Sequence, residues 1–311
     1  GTAAIGMALK LARAATGRFK TISMWDSFHG ASLDAISIGG EAIFRKDIGP
    51  LLPGTEHVPP PDPAHCPFCK KSCTLQCADY VEYVLEKEGD VGAVIAETVR
   101  STPFIPPVDY WKKIRAACDK HGALLILDEI PTCLGRTGSM FACEQYGIVP
   151  DMLVIGKGLG GGIFPLAALL AREGLNQAMP ERALGHYTHE KNPVACAAAL
   201  AAIAFLEEEK ILAHVQSLGL YVLERLRAMQ KDHSVIGDVR GKGLLIGVEL
   251  IRANGERATD EAEQVLYEAL RRRLSFKITM GNILTLTPAL TITKGEMDEA
   301  LEILDACFQS L

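Results

Sequence analysis

Long apolar runs are missing from this chain. No stretch reaches the ~20 consecutive apolar residues that a membrane helix requires, and the longest candidate, residues 193–206, is alanine-rich and short. A charged leader with an apolar core and a small-residue cleavage site is missing too, so no secretory signal is read. Dense basic stripes are absent. The net charge is −6, and Arg271-Arg272-Arg273 falls at the end of a helical pattern, which leaves no nucleic-acid footprint. Nine cysteines, an odd number without a secretion signal, argue against a disulfide framework. Together these absences lead to the expectation of a cytoplasmic protein that binds neither membrane nor nucleic acid. The chain also starts at Gly1 instead of Met and enters a helical pattern at once, so its natural N-terminus is expected to lie upstream.

What is present is ordinary for a globular protein. The 311 residues are 48% hydrophobic and 23% charged, enough to build two domains and a large core without disulfides. Residues 3–16 carry apolar positions at spacings of three and four and predict a helix that Gly17 ends. A short strand is expected at 21–25. Residues 39–78, rich in Pro, Gly and Cys, read as loop or insertion. From 79 a rhythm sets in: helix 79–88, strand 91–97, helix 109–120, then strands 123–128, 152–156 and 165–171. Continuous apolar strands separated by helices predict a parallel or mixed sheet covered on both faces. Helices follow at 193–208 and 211–230. The tail, with strands at 243–250 and 283–286 and helices at 260–273 and 295–308, marks a smaller α/β domain.

Two segments carry chemistry. LLILDEI, 124–130, delivers Asp128 and Glu129 at the C-terminal end of an apolar strand, where open α/β sheets place their sites. Alone it is equally a surface turn or a metal-binding acidic pair. VIGKGLGGG, 154–162, leads a strand into a lysine among glycines, which allow close backbone approach to a ligand. Lys157 could touch a phosphate or attach covalently to a carbonyl cofactor. The Walker A spacing fails, because Gly158 follows the lysine where Ser or Thr is required.

Taken together, DEIPTCLGRTG at 128–138 and the lysine of GKGLGGG resemble the class III aminotransferase family. Further matches follow in the family's order: Phe28-His29-Gly30, Glu97 in AVIAETV, Thr188 before Asn192-Pro193 and an alanine-rich helix, and VRGKGLLIGVEL at 239–250. Gly1-Thr2 look like the end of the family's phosphate loop. The resemblance implies an α/β fold of the PLP-dependent transferase fold type I: a mostly parallel sheet with helices on both faces plus a smaller C-terminal α/β domain. The large domain is expected over 1–208, with a Cys-rich insertion at about 50–78, and the small one over 209–311. The implied cofactor is pyridoxal 5′-phosphate (PLP), the implied partners are a small-molecule amine and a second copy in a homodimer, and the implied reaction is that of a transaminase or a carbon–nitrogen lyase.

The resemblance also implies roles. Lys157 would bind the cofactor covalently and act as general base, and Asp128 would pair with the pyridine nitrogen. Phe28, followed by His29, would stack on the ring. The N–H groups at Gly1 and Thr2, with the helix dipole, would hold the phosphate. Thr188, from the partner subunit, would add to the phosphate site, and Glu97 would line the site near the substrate.

Departures from the family pattern bear on the reaction. Pro131 and Cys133 interrupt the segment after Asp128, and His189-Glu190-Lys191 replace a Phe-Gly-Gly segment. Thr285 stands where many members carry an arginine, and a threonine supplies no bidentate fork for an α-carboxylate. These departures look similar to a branch acting on amino-phosphonates or phospho-amines, in which the substrate loses ammonia or phosphate. Arg100 and Lys191 are candidate phosphonate contacts or, equally, solvated surface charges. Cys66, Cys69, Cys73 and Cys77, with His57 and His65 nearby, have metal-ligand spacing. A structural metal stays open there. No metal site is assigned, since the implied chemistry needs only PLP.

Overall fold

The computed structural model describes residues 1–69, 72–177, 181 and 183–311. The chain divides into two compact units, one made of 1–99, 106–134 and 141–204, the other of 100–105, 135–140 and 205–311.

The first unit runs α1 (Thr2–Thr16), β1 (Lys20–Met24), α2 (Leu33–Ile38), α3 (Ala42–Arg45), β2 (Thr55–Val58), α4 (Gln76–Glu88), β3 (Val91–Glu97), α5 (Tyr110–His121), β4 (Leu124–Asp128), β5 (Met152–Ile155), β6 (Ala168–Ala171), α6 (Glu173–Gln177) and most of α7 (Pro193–Glu208). Its sheet has the order β2-β1-β3-β4-β5-β6, with only the β5–β6 pair antiparallel. Helix α1 stops where its period predicts: Gly17 takes φ 69° and returns its N–H to the Arg13 carbonyl at 2.9 Å. Its apolar stripe, Ile5, Ala8, Leu9 and Ala12, packs on Ala93, Ile95, Ile126 and Val154. The alternate residues Val94, Leu125 and Leu127 point to the other face and are equally buried, so the sheet is covered on both sides.

The second unit holds a four-stranded antiparallel sheet of order β7-β8-β10-β9, formed by β7 (Ile236–Lys242), β8 (Leu245–Leu250), β9 (Lys277–Thr279) and β10 (Ile283–Leu286). With it come α8 (Ile211–Asp232), α9 (Thr259–Arg271) and α10 (Lys294–Gln309). Thr293 starts α10 with a capping box. The Glu296 N–H donates to Thr293 Oγ1 at 3.2 Å, and Glu296 Oε2 accepts the Thr293 N–H at 2.8 Å. Within this unit Gly219 of α8 lies against Gly243, where a Cβ would sit 2.3 Å from the Gly243 carbonyl oxygen.

Part of the segment expected to be loop is regular. Residues 39–78 contain α3, the start of α4, and β2, which pairs in parallel with β1. Strand β2 is a four-residue edge strand, Thr-Glu-His-Val, too short and polar to announce itself by periodicity. Strand β7 escapes for a similar reason, since Gly237, Gly241 and three charged residues break its pattern. Among the described residues no helix is long and apolar enough to cross a membrane.

Candidate active site

Parallel pairing brings the C-terminal ends of β3 and β4 level, so that Glu97 and Asp128 are Cα partners across the sheet. Next to them β5 ends at Ile155, Gly156 continues in an extended conformation, and Lys157 turns into a 3-10 helix. Lys157 takes φ 44°, a left-handed conformation that costs a non-glycine residue about 1–2 kcal/mol. Its side chain is exposed.

Asp128 is buried and held at both oxygens. Its Oδ2 accepts from His29 Nδ1 at 2.8 Å, and its Oδ1 accepts the Ile130 N–H at 3.0 Å. His29 is itself buried, and its Nε2 has no hydrogen-bond partner among the described residues. The preceding Phe28 donates its N–H to Glu97 Oε1 at 3.3 Å, and its half-exposed ring lies against Phe44, centroids 4.7 Å apart. Glycine is required next. Gly30 has φ 134°, and a Cβ there would sit 2.5 Å from Thr2 Oγ1. The same Thr2 hydroxyl accepts the Ala31 N–H at 3.2 Å, which ties the first turn of α1 to this loop.

Gly1 completes the group. It packs so closely on Ile130 that a Cβ would lie 2.8 Å from Ile130 Cδ1. Gly1 thus lies against the loop that follows Asp128. Helix α1 starts here with no side-chain cap and no acidic residue in its first turn, an end suited to an anion.

Glu129, the neighbour of Asp128, does different work. It is fully buried and accepts from Thr98 Oγ1 at 2.8 Å, the Ala142 N–H at 2.6 Å and the Cys143 N–H at 2.8 Å. Burial raises its pKa, and these donors oppose the rise. Cys133 sits behind the loop with its thiol aimed at the Gly156 carbonyl, 3.7 Å away, and burial pushes it up to about 12.

Other residues singled out from the sequence lie outside that group. Thr188 is exposed on the turn 187–190, where Tyr187 Oη donates to the Ala3 carbonyl at 3.4 Å. Lys191 is exposed, with φ 58°. The Asn192 side chain caps α7 by accepting from Val194 N and Ala195 N at 3.0 and 3.2 Å, which explains the Asn-Pro pair. Arg100 belongs to the second unit, buried over the Phe104 ring. Arg136, of the GRTG segment, also belongs there and donates to the carbonyls of Leu244 and Pro288 at 3.0 and 2.7 Å. Thr285 is buried in that unit's sheet with its hydroxyl 2.8 Å from that of Thr279. Two contributors went unread in the sequence: the Ile130 amide and Thr98. The short polar residue that follows a strand-end Glu is the only signal Thr98 offers.

Comparison with known families agrees with this geometry. The model of the aminotransferase class-III family matches residues 1–308. The chain belongs to the class III aminotransferases. It is 48% identical to the (R)-1-hydroxy-2-aminoethylphosphonate ammonia-lyase of Vibrio splendidus (strain 12B01), over 98% of this chain and 67% of that protein. It is 39% identical to the leucine/methionine racemase of Thermococcus litoralis, over 96% of this chain and 69% of that one. Among solved structures, an amine transaminase from an uncultivated Pseudomonas species in its PLP-bound form superposes with a TM-score of 0.92 and 30% identity, over 100% of this chain and 75% of that chain. The protein is thus an enzyme of the transaminase or lyase type with the PLP fold, and its cofactor is the family's pyridoxal 5′-phosphate.

The residues present fit that cofactor. A buried carboxylate held at both oxygens, an uncapped helix start, an exposed aromatic ring and a lysine lie around the C-terminal ends of the sheet's strands. Gly1 and Gly30 leave the backbone bare where a side chain would collide.

Proposed function

We propose that this protein is a PLP-dependent ammonia-lyase for a small amine with a phosphonate tail, such as (R)-1-hydroxy-2-aminoethylphosphonate. The observation that carries the reading is the likeness to the Vibrio splendidus lyase across nearly the whole chain. Thr285 supports it. The position that in many family members carries a carboxylate-gripping arginine holds a short side chain engaged with Thr279.

Bound at the strand ends, the cofactor supplies the electron sink that lets a proton leave the amine-bearing carbon. Asp128 holds the proton on the pyridine nitrogen, and a carboxylate already paired to His29 and Ile130 needs no reorganisation to do so. Lys157 would anchor the cofactor and would be the base for the proton on the amine-bearing carbon. The N–H groups of the first turn of α1 bind the phosphate, Phe28 covers the ring and Glu97 lines the substrate side. Thr188 serves the phosphate of a partner subunit in a homodimer. The net conversion turns (R)-1-hydroxy-2-aminoethylphosphonate into phosphonoacetaldehyde and ammonia with no other reactant.

The test is ammonia release from this amino-phosphonate by the PLP-loaded protein with no oxo acid added. Many turnovers are expected. A single stoichiometric conversion of the cofactor without free ammonia would instead establish a transaminase.

A further inference from the structure

Cys133 is a buried thiol to which the proposed chemistry gives no part, yet it lies between the two backbone segments that carry that chemistry. Its own N–H donates to the Glu129 carbonyl at 2.9 Å, and the Glu129 side chain is fixed in turn by Thr98, Ala142 and Cys143. From this anchored backbone the sulfur faces two carbonyl oxygens, that of Gly156 at 3.7 Å and that of Ile130 at 4.0 Å. Gly156 immediately precedes Lys157, and the Ile130 N–H is the donor to Asp128 Oδ1. Burial keeps the thiol protonated, so it stands there as an S–H donor and not as a nucleophile.

The turn that it faces needs holding. Lys157 sits in the left-handed region at φ 44°, and a non-glycine residue stays there only where its surroundings fix it. One restraint lies inside the turn, where the Leu159 N–H donates to the Gly156 carbonyl at 3.1 Å. The Cys133 thiol reaches the same oxygen from outside the turn, and a carbonyl with two lone pairs accepts both donors. Packing follows the same lines. A Cβ on Gly156 would lie 3.2 Å from Ile130 Cγ2, and one on Gly158 would lie 3.8 Å from Leu134 Cβ. Ile130, Cys133 and Leu134 thus back the lysine turn from one loop.

We propose that Cys133 is a positioning residue for Lys157: its S–H, donated to the Gly156 carbonyl, holds the strained turn that presents the lysine amine. The consequence for the cofactor rests on the reading of Lys157 as the cofactor lysine; the hold on the turn does not. A turn already in place joins the cofactor without reorganising. Loosening it lowers the competent fraction of the protein and weakens the apparent cofactor affinity by the same factor.

Two variants of nearly equal size separate the hydrogen bond from the volume. Cys133→Ala removes the donor, and Cys133→Ser keeps one. Amide hydrogen exchange of the full chain without cofactor is read by mass spectrometry on the peptide covering 157–161. It is expected to speed up about three- to fivefold in Cys133→Ala, the scale of a single hydrogen bond, and to return most of the way in Cys133→Ser. In the PLP-loaded protein, the apparent Kd of PLP, read from the absorbance of the lysine–cofactor linkage, should rise by the same factor in Cys133→Ala and recover in Cys133→Ser. Equal values in the two variants, or exchange no faster than in the wild type, would make Cys133 a space-filling side chain and overturn the proposal. Should Cys133→Ala fail to fold, the infrared difference between wild type and Cys133→Ser isolates the Cys133 S–H stretch. A lowered frequency supports donation to the carbonyl, and the frequency of an unbonded thiol refutes it. Borohydride reduction with peptide mapping keeps the two readings apart: cofactor attached to a residue other than Lys157 would sink the cofactor-lysine reading, while the exchange measurement still decides whether Cys133 holds the turn.

Discussion

His29 and Asp128, 99 positions apart, meet as a buried pair with Nδ1 2.8 Å from Oδ2. The carboxylate accepts, so the Nδ1 proton sits between them and fixes the tautomer of the ring. The histidine is thereby a positioning residue. It holds the carboxylate that, in the proposed function, would pair with the cofactor's pyridine nitrogen.

Removing that hold is expected to misplace Asp128 without removing its charge. His29→Phe should lower kcat on the order of tenfold to a hundredfold with little change in KM, and Asp128→Asn should cost more. Steady-state kinetics of both variants check this. Equal kcat for wild type and His29→Phe would show that Ile130 alone orients the carboxylate.

Lys157→Ala is expected to abolish turnover and the covalent cofactor linkage. Borohydride reduction followed by peptide mapping should attach the cofactor to Lys157 in the wild type and to no residue in the variant. Attachment elsewhere would move the assignment.

Glu129 links pH to stability. Burial holds its folded-state pKa above the ordinary 4.5, so its contribution to folding is fully present below that value and is lost as pH rises through the raised pKa. Glu129→Gln should flatten that pH dependence, read as denaturant midpoints at a series of pH values from 4 to 8. Glu129→Ala should destabilise at every pH by about 3 kcal/mol or more, because Thr98 Oγ1 and the amides of Ala142 and Cys143 lose their acceptor.

In the second unit, Gly219→Ala drives a methyl into the Gly243 carbonyl oxygen, 2.3 Å away with ideal geometry. Backbone blocks it on this side, so the helix must shift, at a cost of about 1–3 kcal/mol. Thermal unfolding of the variant measures this. An unchanged midpoint would mean that α8 moves freely.

Much of this was legible beforehand, for physical reasons that differ by element. Strands β3 and β4 announced themselves because burial on both faces demands uninterrupted apolar residues. Asp128 and Lys157 stood out because polar residues directly after such strands must be solvated, paired or used. Strand β2 stayed hidden because an edge strand supported by one neighbour needs no apolar run. The His29–Asp128 pair could be reached from the sequence only through family likeness, since nothing local joins two residues from different strand ends. In the sequence Glu129 stands beside Asp128 with no role of its own. Its neighbours in space, Thr98, Ala142 and Cys143, make it a clamp on two loops instead.

The Cα pairing of Glu97 with Asp128 has one more consequence. Side chains alternate between faces along a strand, so a single residue inserted into β4 would send the carboxylate to the opposite face and bury a leucine in its place. The chemistry therefore tolerates no single-residue change in the length of β4.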